Sequence, residues 1–367
     1  MMRFIPVLLI LILLAGCSGH EPARGEPTEA LRTEPFDFEV EGRKLSGLLD
    51  RPTDRDATGT IVLVHSYGET NVVEQNWYYS LRSRFAAIGL NVLIWDKPGC
   101  GASEGEFDIN QPVQGSAEEV VAAVRELRGR DIAGTEVVGL WGGSRAGWIV
   151  PLAMHEESFD FWISLSGVDD RENARYLLET NLPLEGRSEA ETQKLVGQWQ
   201  ASFNTLWQDA TYEDYLNAAP DLKDDDFIQL MGWDGTISEE EFLDYQRRFR
   251  TGELAVDEDT GLMIPVPNFR QILSSIDTPV LALFGEKDTN VDWRKAAAIY
   301  RETIGVNPKA SLTIKTFPDA NHSLRQCKTG GIRELLAEIE TAPFADGYYE
   351  TIFDWLAERG FGTAQSS

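Results

Sequence analysis

The sequence predicts an α/β fold in which a mostly parallel central sheet is flanked by helices. The chain has 367 residues, of which 42% are hydrophobic, so it can bury a large core. Short apolar runs rich in β-branched residues recur along it, and such runs are typical of strands buried on both faces. They occupy 60–65, 91–96, 136–141, 161–165 and 279–284. Segments with helical spacing separate them, and this alternation indicates βαβ units with right-handed crossovers.

The N-terminus has the features of an export signal. A basic residue precedes an apolar run that is too short to span a bilayer comfortably, and small residues follow it. The four residues Leu-Ala-Gly-Cys ending at Cys17 resemble a bacterial lipoprotein signal, which implies cleavage before Cys17 and lipidation of that cysteine. We therefore expect a signal peptide at 1–16 and a flexible tether at 17–34, where Gly, Pro and Glu dominate. The resemblance implies an exported, membrane-anchored protein, and Ser18 favours the outer membrane, with the enzyme periplasmic or surface-facing.

The first part of the folded core is expected over residues 35–168. Apolar and polar residues alternate at 36–40 and again at 45–49, which predicts an antiparallel hairpin beside the main sheet. Helical spacing at 74–87 and at 117–127 predicts a helix after each of the first two buried strands.

The alternation of strands and helices breaks between residues 169 and 276. This stretch has no buried-strand pattern, only aromatic-rich helical segments such as 239–249. Because it lies between the sixth and seventh core strands, we expect a helical lid over a site at the sheet edge, with a helical side domain as the alternative. The second part of the core, 277–367, is predicted to contain a strand at 312–317 and a closing helix at 348–356.

Charge and cysteine content exclude several classes of function. The formal net charge is −27, so the protein repels nucleic acid, and we expect no nucleic-acid partner. The sequence has no Cys-x-x-Cys and no His-x-x-x-His pair, so we expect neither a metal nor another cofactor. Beyond Cys17 only Cys100 and Cys327 remain, and we expect them to be unpaired, although export permits a disulfide. The sequence leaves the oligomeric state open.

A glycine-rich turn follows the strand at 136–141 and leads into an apolar helix at 144–155. Its sequence, Gly-Gly-Ser-Arg-Ala-Gly, surrounds Ser144 with small residues. Small neighbours permit a tight strand-to-helix turn that exposes the serine hydroxyl at the helix N-terminus. Ser144 is therefore the candidate nucleophile, and a serine that only caps the helix is the alternative.

One histidine remains as a base for this nucleophile. Of the four histidines, His20 lies in the tether and His65 precedes the turn. His155 lies on the same helix as Ser144, about 16 Å along its axis, which is beyond reach. His322, in the loop after the predicted strand at 312–317, is the candidate base.

Several carboxylates compete for the third position. In open α/β sheets, functional residues collect at the carboxyl ends of the strands. Asp288 follows the strand at 279–284 and is the candidate acid, whereas Glu286, Asp292 and the pair at 169–170 are alternatives.

The chain order Ser144, Asp288, His322, together with the turn, resembles the α/β-hydrolase superfamily. The loop at 96–103, Asp-Lys-Pro-Gly-Cys-Gly-Ala-Ser, also resembles that family's Asp-x-x-Gly-x-Gly-x-Ser loop, and the likeness extends from about 36 to 360. The serine aminopeptidase-like, dienelactone-hydrolase-like and acyl-thioesterase-like branches look closest. The resemblance implies an α/β-hydrolase fold and a triad in which the histidine is the general base and the aspartate orients it.

The resemblance further implies an oxyanion hole formed by the backbone N–H groups of Tyr67 and Arg145. Two residues depart from the family pattern: Ser66 stands where a glycine usually follows His65, and Ala146 stands where the turn usually has its second glycine. We expect the Arg145 side chain to be solvated, with contact to an acidic substrate group as the alternative.

These features predict an exported serine hydrolase that cleaves carboxylic esters or thioesters through an acyl-enzyme. Its expected partners are a small acyl ester or a short peptide, and the membrane. A serine peptidase of aminopeptidase or dipeptidyl-peptidase type is the enzymatic alternative, with Asp221 and the three aspartates at 224–226 holding a substrate amine. A catalytically idle binding module with the same fold is the second alternative.

Overall fold

Eight strands form the central sheet of the computed structural model, which describes residues 31–233, 237–339 and 341–362. The strands are β1 Leu31–Val40, β2 Arg43–Pro52, β3 Gly59–Val64, β4 Leu90–Trp95, β5 Val138–Gly143, β6 Phe161–Leu165, β7 Ala255–Asp257, β8 Leu262–Ile264, β9 Pro279–Gly285 and β10 Ser311–Phe317. The sheet order is β1-β2-β4-β3-β5-β6-β9-β10, and β7 pairs with β8 in a separate hairpin.

Most of the sheet is parallel, as predicted. The hairpin β1–β2 is antiparallel and joins the sheet through an antiparallel pairing of β2 with β4. The remaining pairs of the sheet are parallel, so the carboxyl ends of β3, β5, β9 and β10 lie along one edge. Every residue of β3, β4 and β6 is buried, which explains why these strands read as continuous apolar runs.

Helices cover both faces of the sheet. The described helices are α1 Val72–Gln75, α2 Tyr79–Ala87, α3 Val113–Gly129, α4 Ala146–Glu156, α5 Ala174–Leu184, α6 Glu189–Trp207, α7 Tyr212–Ala218, α8 Asp226–Leu230, α9 Glu239–Arg250, α10 Phe269–Ser275, α11 Trp293–Glu302, α12 Ile332–Glu338 and α13 Tyr348–Glu358. Helices α3, α4 and α11 share one hydrophobic cluster with one sheet face, and α2 and α13 share a second cluster with the other.

An insertion separates β6 from β9, the sixth and seventh strands of the sheet in chain order. It contains helices α5 to α10 and has a small aromatic core of its own, in which Phe203, Tyr215 and Phe242 pack together. The insertion is not purely helical, because it includes the β7–β8 hairpin. Asp257, the last residue of β7, holds the turn of that hairpin, because its Oδ1 accepts hydrogen bonds from two backbone N–H groups. The sequence did not predict β7, because a strand of three residues is too short to show a periodic pattern.

The structure differs from the sequence predictions at two places near the N-terminus. The predicted tether at 17–34 ends before Leu31, because β1 pairs from Leu31 onward with β2 and the Thr33 hydroxyl donates to Asp50 at 2.5 Å. The helix predicted for 74–87 is broken into α1 and α2, since Asn76 and Tyr78 adopt left-handed backbone angles. Cys17 and its predicted lipid lie outside the described residues.

Cys100 and Cys327 are both free thiols in this structure. None of the helices in the described ranges is long and apolar enough to cross a bilayer. Within the same ranges, His, Cys, Asp and Glu side chains form no group arranged to hold a metal ion.

Candidate active site

Ser144 lies at a tight turn between β5 and α4. Its φ of +54° is in the left-handed region, which costs a non-glycine residue about 1 kcal/mol or more and is found mainly where the surrounding structure enforces it. Two backbone hydrogen bonds enforce it here: the Ser144 N–H donates to the carbonyl of Leu165 at 2.9 Å, and its carbonyl accepts from Gly147 at 2.7 Å. The turn therefore has the geometry of a nucleophile elbow.

Small residues at the elbow are a steric requirement, and they explain why Ala146 is tolerated. A Cβ on Gly142 would lie 2.6 Å from the Ala146 methyl group, and one on Gly147 would lie 2.9 Å from the backbone nitrogen of Val168. Because Gly142 has no side chain, the Ala146 methyl group occupies that space and is fully buried. This departure from the family pattern is compensated within the elbow itself.

Asp288 and His322 form a buried pair at the neighbouring strand ends. The His322 Nδ1 lies 2.8 Å from Asp288 Oδ2, and the two residues are only 3% and 2% exposed. The other carboxylate oxygen, Oδ1, accepts the backbone N–H groups of Asn290 at 2.8 Å and Val291 at 2.9 Å. These two bonds fix the carboxylate so that Oδ2 faces the imidazole.

The alternative acids have other partners. Glu286 accepts the hydroxyl of Thr316 at 2.7 Å, and Asp292 caps the N-terminus of α11. Asp169 accepts the backbone N–H of Arg171, and Asp170 lies 3.7 Å from the guanidinium of the same arginine. Among these carboxylates, Asp288 is the one bonded to the candidate base.

A cavity of about 60 Å³ brings the candidate nucleophile and base together. Ser144 and His322 both line it, together with Ser66 and the aromatic residues Trp141 and Phe344. The three residues predicted from strand-end positions, Ser144, Asp288 and His322, therefore meet in one place.

The loop that carries Tyr67 is held by two buried bases. Burial lowers the pKa of His65 to about 3, so its ring is neutral and its Nε2–H donates to the carbonyl of Trp95 at 2.5 Å. The Lys97 ammonium group donates to the carbonyls on both sides of Tyr67, those of Ser66 and Gly68, the latter at 2.7 Å.

These contacts hold the loop in place although Ser66 stands where the family pattern has a glycine. The backbone of Ser66 is outside the left-handed region, so a side chain there costs no backbone strain. Lys97 is a functional candidate that the sequence argument missed, because a lysine in a loop predicts solvent exposure. The sequence feature that could have identified Lys97 is its position beside Asp96 in the Asp-x-x-Gly-x-Gly-x-Ser loop. Burial, followed by the nearby charge of Arg145, lowers the pKa of Lys97 to about 7.

Tyr67 and Arg145 line a second, larger cavity of about 400 Å³. The expectation that the Arg145 side chain is solvated is wrong, since the residue is only 4% exposed. Its guanidinium donates to the Ser116 hydroxyl at 3.1 Å and the Gln111 carbonyl at 2.6 Å, and lies 5.3 Å from the Tyr67 ring centroid. Packing against the N-terminus of α3 therefore buries this side chain.

The insertion forms the opposite wall of this larger cavity, through α9 and the β7–β8 hairpin with the segment that follows it. The aspartates proposed to hold a substrate amine are not part of it. Asp221 pairs with Lys194, and Asp225 and Asp226 both pair with Arg187. Neither cavity is lined by these residues or by the aspartate at 224.

Two carboxylates at the start of the insertion are buried: Asp169, one of the alternative acids named from the sequence, and Glu172, which the sequence did not indicate. Burial raises the pKa of Glu172 to about 7 and that of Asp169 to about 6. Glu172 accepts the backbone N–H of Ala174 through Oε2, and its Oε1 has no partner within the described part of the chain. Nothing in the local sequence distinguishes Glu172 from the exposed acidic residues around it.

Solved structures of known proteins share this architecture. An esterase from Pyrococcus furiosus has a TM-score of 0.52 at 14% identity, over 94% of this chain and 97% of the esterase. An acylaminoacyl peptidase from Pyrococcus horikoshii has a TM-score of 0.51 at 12% identity, over 93% of this chain and 43% of the peptidase. At these identities the similarity shows the fold alone, which is the predicted α/β-hydrolase fold.

No curated protein sequence matches the chain. A family model described as X-Pro dipeptidyl-peptidase (S15 family) matches residues 41–316. The matched segment contains Ser144 and Asp288 and ends just before the loop of His322. Because it covers well over half of the 367 residues, the chain belongs to the X-Pro dipeptidyl-peptidase (S15) family and is a serine hydrolase of the α/β-hydrolase superfamily.

Proposed function

We propose that this serine hydrolase cleaves carboxylic esters or thioesters, with Ser144 as nucleophile, His322 as general base and Asp288 as its orienting acid. The observation that carries the proposal is the buried 2.8 Å pair of His322 and Asp288, whose imidazole lines the same cavity as Ser144. A serine, a histidine base that lines the same cavity and a carboxylate that orients the histidine are the groups that activate a serine hydroxyl.

In this mechanism His322 accepts the hydroxyl proton as the Ser144 Oγ attacks the acyl carbon, and then donates it to the departing alcohol or thiol. Asp288 holds the Nδ1–H, which leaves Nε2 free to accept the proton, and it stabilises the imidazolium that forms. Water then attacks the acyl-enzyme by the same proton transfers, which releases the acid and restores Ser144.

The backbone N–H groups of Tyr67 and Arg145 are the proposed oxyanion donors. Neither N–H donates to another group in the described part of the chain, and Arg145 directly precedes α4, where the helix dipole also favours negative charge. Each such donor contributes roughly 3–4 kcal/mol of transition-state stabilisation. In this role Lys97 is a positioning residue, because its bonds to the carbonyls of Ser66 and Gly68 orient the Tyr67 amide.

Peptide cleavage after an N-terminal dipeptide is the second candidate, and the family description favours it. Such an enzyme needs an anion to bind the substrate's terminal amine. Among the described residues, Glu253 is the one carboxylate that lines either cavity, and it pairs with Arg248 at 2.7 Å. The aspartates at 221 and 224–226 do not line either cavity, so the charge arrangement supports esters over peptides.

A series of p-nitrophenyl esters, measured beside Xaa-Pro and aminoacyl p-nitroanilides, separates the two candidates. We expect kcat/KM for the best ester to exceed that for every anilide by orders of magnitude, and all turnover to disappear in Ser144→Ala. An Xaa-Pro anilide cleaved as efficiently as the best ester would favour the peptidase.

We further propose that the insertion acts as a lid and that Cys17 carries the lipid anchor. The first proposal is supported by the wall that α9 and the β7–β8 hairpin contribute to the larger cavity. The second is supported by the signal-like sequence alone, and it implies an enzyme held at the outer membrane. Cys17→Ala should move the protein from the membrane to the soluble fraction of cells, while Cys327→Ala should not. An unchanged membrane fraction in Cys17→Ala would contradict the anchor.

A further inference from the structure

The larger cavity is built as a binding site for one half of the substrate. Its volume of about 400 Å³ falls in the range of small-molecule sites. One wall comes from the core and includes Trp148 and Leu152 of α4, and the other comes from the insertion and includes Met263 and Val266. The wall is therefore largely apolar, and the lining also includes Tyr67 and Arg145, the residues of the two proposed oxyanion donors.

Charge in this cavity is not balanced by the protein. Its charged lining residues are Arg145, Arg248 and Glu253. Arg248 and Glu253 form an ion pair at 2.7 Å and neutralise each other. Arg145 donates hydrogen bonds to neutral groups and forms no salt bridge within the described residues, so the carboxylates of Glu119 and Asp108 act on its charge only from a longer distance. A buried arginine without an anion is costly, so a bound anion would be stabilised there.

The buried carboxylates nearby do not supply this anion. Glu119 accepts hydrogen bonds from Trp95 and Gln111 and forms no salt bridge with Arg145, and burial raises its pKa. Glu172 does not line the cavity, and burial raises its pKa to about 7. Arg145 remains charged because a guanidinium does not lose its proton under ordinary conditions.

The position of the base indicates which half of the substrate enters this cavity. His322 lines the smaller cavity, and it must donate its proton to the leaving group, so the leaving group lies on that side of Ser144. The acyl group is then left to the larger cavity, whose lining includes Tyr67 and Arg145, the residue that follows Ser144.

We propose that Arg145 binds a carboxylate at the far end of the acyl group, so that the preferred substrates are half-esters or half-thioesters of dicarboxylic acids. This inference rests on the proposed function. A charge-assisted hydrogen bond in a buried site predicts that kcat/KM for an ω-carboxy ester exceeds that for the neutral ester of the same carbon number by about tenfold to a hundredfold.

The test compares two matched pairs of p-nitrophenyl esters: the monoester of adipate with hexanoate, and the monoester of suberate with octanoate. In the unmodified protein we expect the carboxylate member of at least one pair to be preferred by about tenfold or more. Equal or better cleavage of the neutral member in both pairs would overturn the inference and leave the proposed function standing. Failure to cleave any of the four esters would overturn both.

Three variants assign the preference to Arg145. Arg145→Met should bring the ratio for the preferred pair to about one or below, whereas Arg145→Lys, which keeps the charge, should retain part of it. The double variant Arg248→Gln with Glu253→Gln is the matched control, because it removes both members of an ion pair in the same cavity and leaves the net charge of the cavity unchanged, so it should leave the ratio unchanged. A ratio that survives Arg145→Met, or that is lost in the double variant, would overturn the assignment.

Discussion

Replacing Asp288 by asparagine should lower kcat by about 10⁴-fold while the fold is retained. The two oxygens of Asp288 have different partners, since Oδ1 accepts two backbone N–H groups and Oδ2 accepts the Nδ1–H of His322. An asparagine side chain has one oxygen and one NH₂ group, so it can accept hydrogen bonds at only one of the two positions where the carboxylate accepts them.

The backbone decides which way the amide turns. If the amide oxygen faced His322, the NH₂ group would face two N–H donors at distances of 2.8 and 2.9 Å, and no hydrogen bond would form there. The oxygen therefore takes the Oδ1 position and the NH₂ group takes the Oδ2 position. It then donates to His322 Nδ1, which places the imidazole proton on Nε2, where it blocks acceptance of the proton from Ser144.

The size of the expected loss in kcat follows from this wrong tautomer of His322. Comparable aspartate-to-asparagine changes in Ser-His-Asp enzymes cost about 10⁴ in kcat, and at 1.36 kcal/mol per factor of ten this is about 5 kcal/mol. KM should change little, because Asp288 lines neither cavity.

Steady-state hydrolysis of the best p-nitrophenyl ester at neutral pH measures the effect. Glu286→Gln is the matched control, because Glu286 lies two residues away and bonds Thr316, and its kcat should stay close to that of the unmodified enzyme. A loss of less than about tenfold in Asp288→Asn, or an equal loss in both variants, would refute the assignment of Asp288 as the orienting acid.

Three further changes test the packing around the site. Arg82→Met should lower the free energy of unfolding by about 3–5 kcal/mol, because it leaves the fully buried Asp50 carboxylate without its cation. Gly101→Ala should cost about 1–3 kcal/mol, since φ is +48° and a Cβ there would lie 2.1 Å from Asp96 Oδ2. Glu172→Gln should stabilise the protein at pH 8 by up to about 3 kcal/mol, because the stability that protonated Glu172 gives below pH 4.5 is lost as the pH rises through about 7.

Urea denaturation at several pH values measures all three changes. For the first, adding Asp50→Asn to Arg82→Met should recover part of the loss, and no recovery would contradict the ion-pair explanation. For the second, a Gly101→Ala protein as stable as the unmodified one would contradict the steric argument. For the third, the gain in the free energy of unfolding from Glu172→Gln should disappear near pH 4. A gain that does not depend on pH would contradict the titration of Glu172 as its cause.

The sheet was predictable because its strands are buried on both faces, which leaves a continuous apolar run in the sequence. The run at 161–165 coincides with β6, and the neighbouring strands differ from prediction by a few residues at each end. The break between α1 and α2 was not predictable in this way. The apolar spacing continues through Asn76, whose left-handed conformation is stabilised by contacts made only in the folded protein, including the hydrogen bond from Arg82 at 2.8 Å.

The candidate triad was predictable because each member follows a strand end, and parallel strands bring their carboxyl ends to one edge. The burial of polar side chains was not predictable from the sequence. Arg145 and Lys97 look like surface residues in sequence, but the N-terminus of α3 and the carbonyls beside Tyr67 provide acceptors that only the folded chain brings near. The pairing of Asp225 with Arg187 is equally non-local, and it removes that carboxylate from the site.

The central claim, that Ser144 is an activated nucleophile, is tested most directly by a fluorophosphonate probe. We expect a single adduct, mapped by peptide mass analysis to the tryptic peptide that contains Ser144, and its loss in Ser144→Ala with the fold intact by circular dichroism. A folded, unmodified protein that takes up no label, or takes it up at another residue, would contradict the claim.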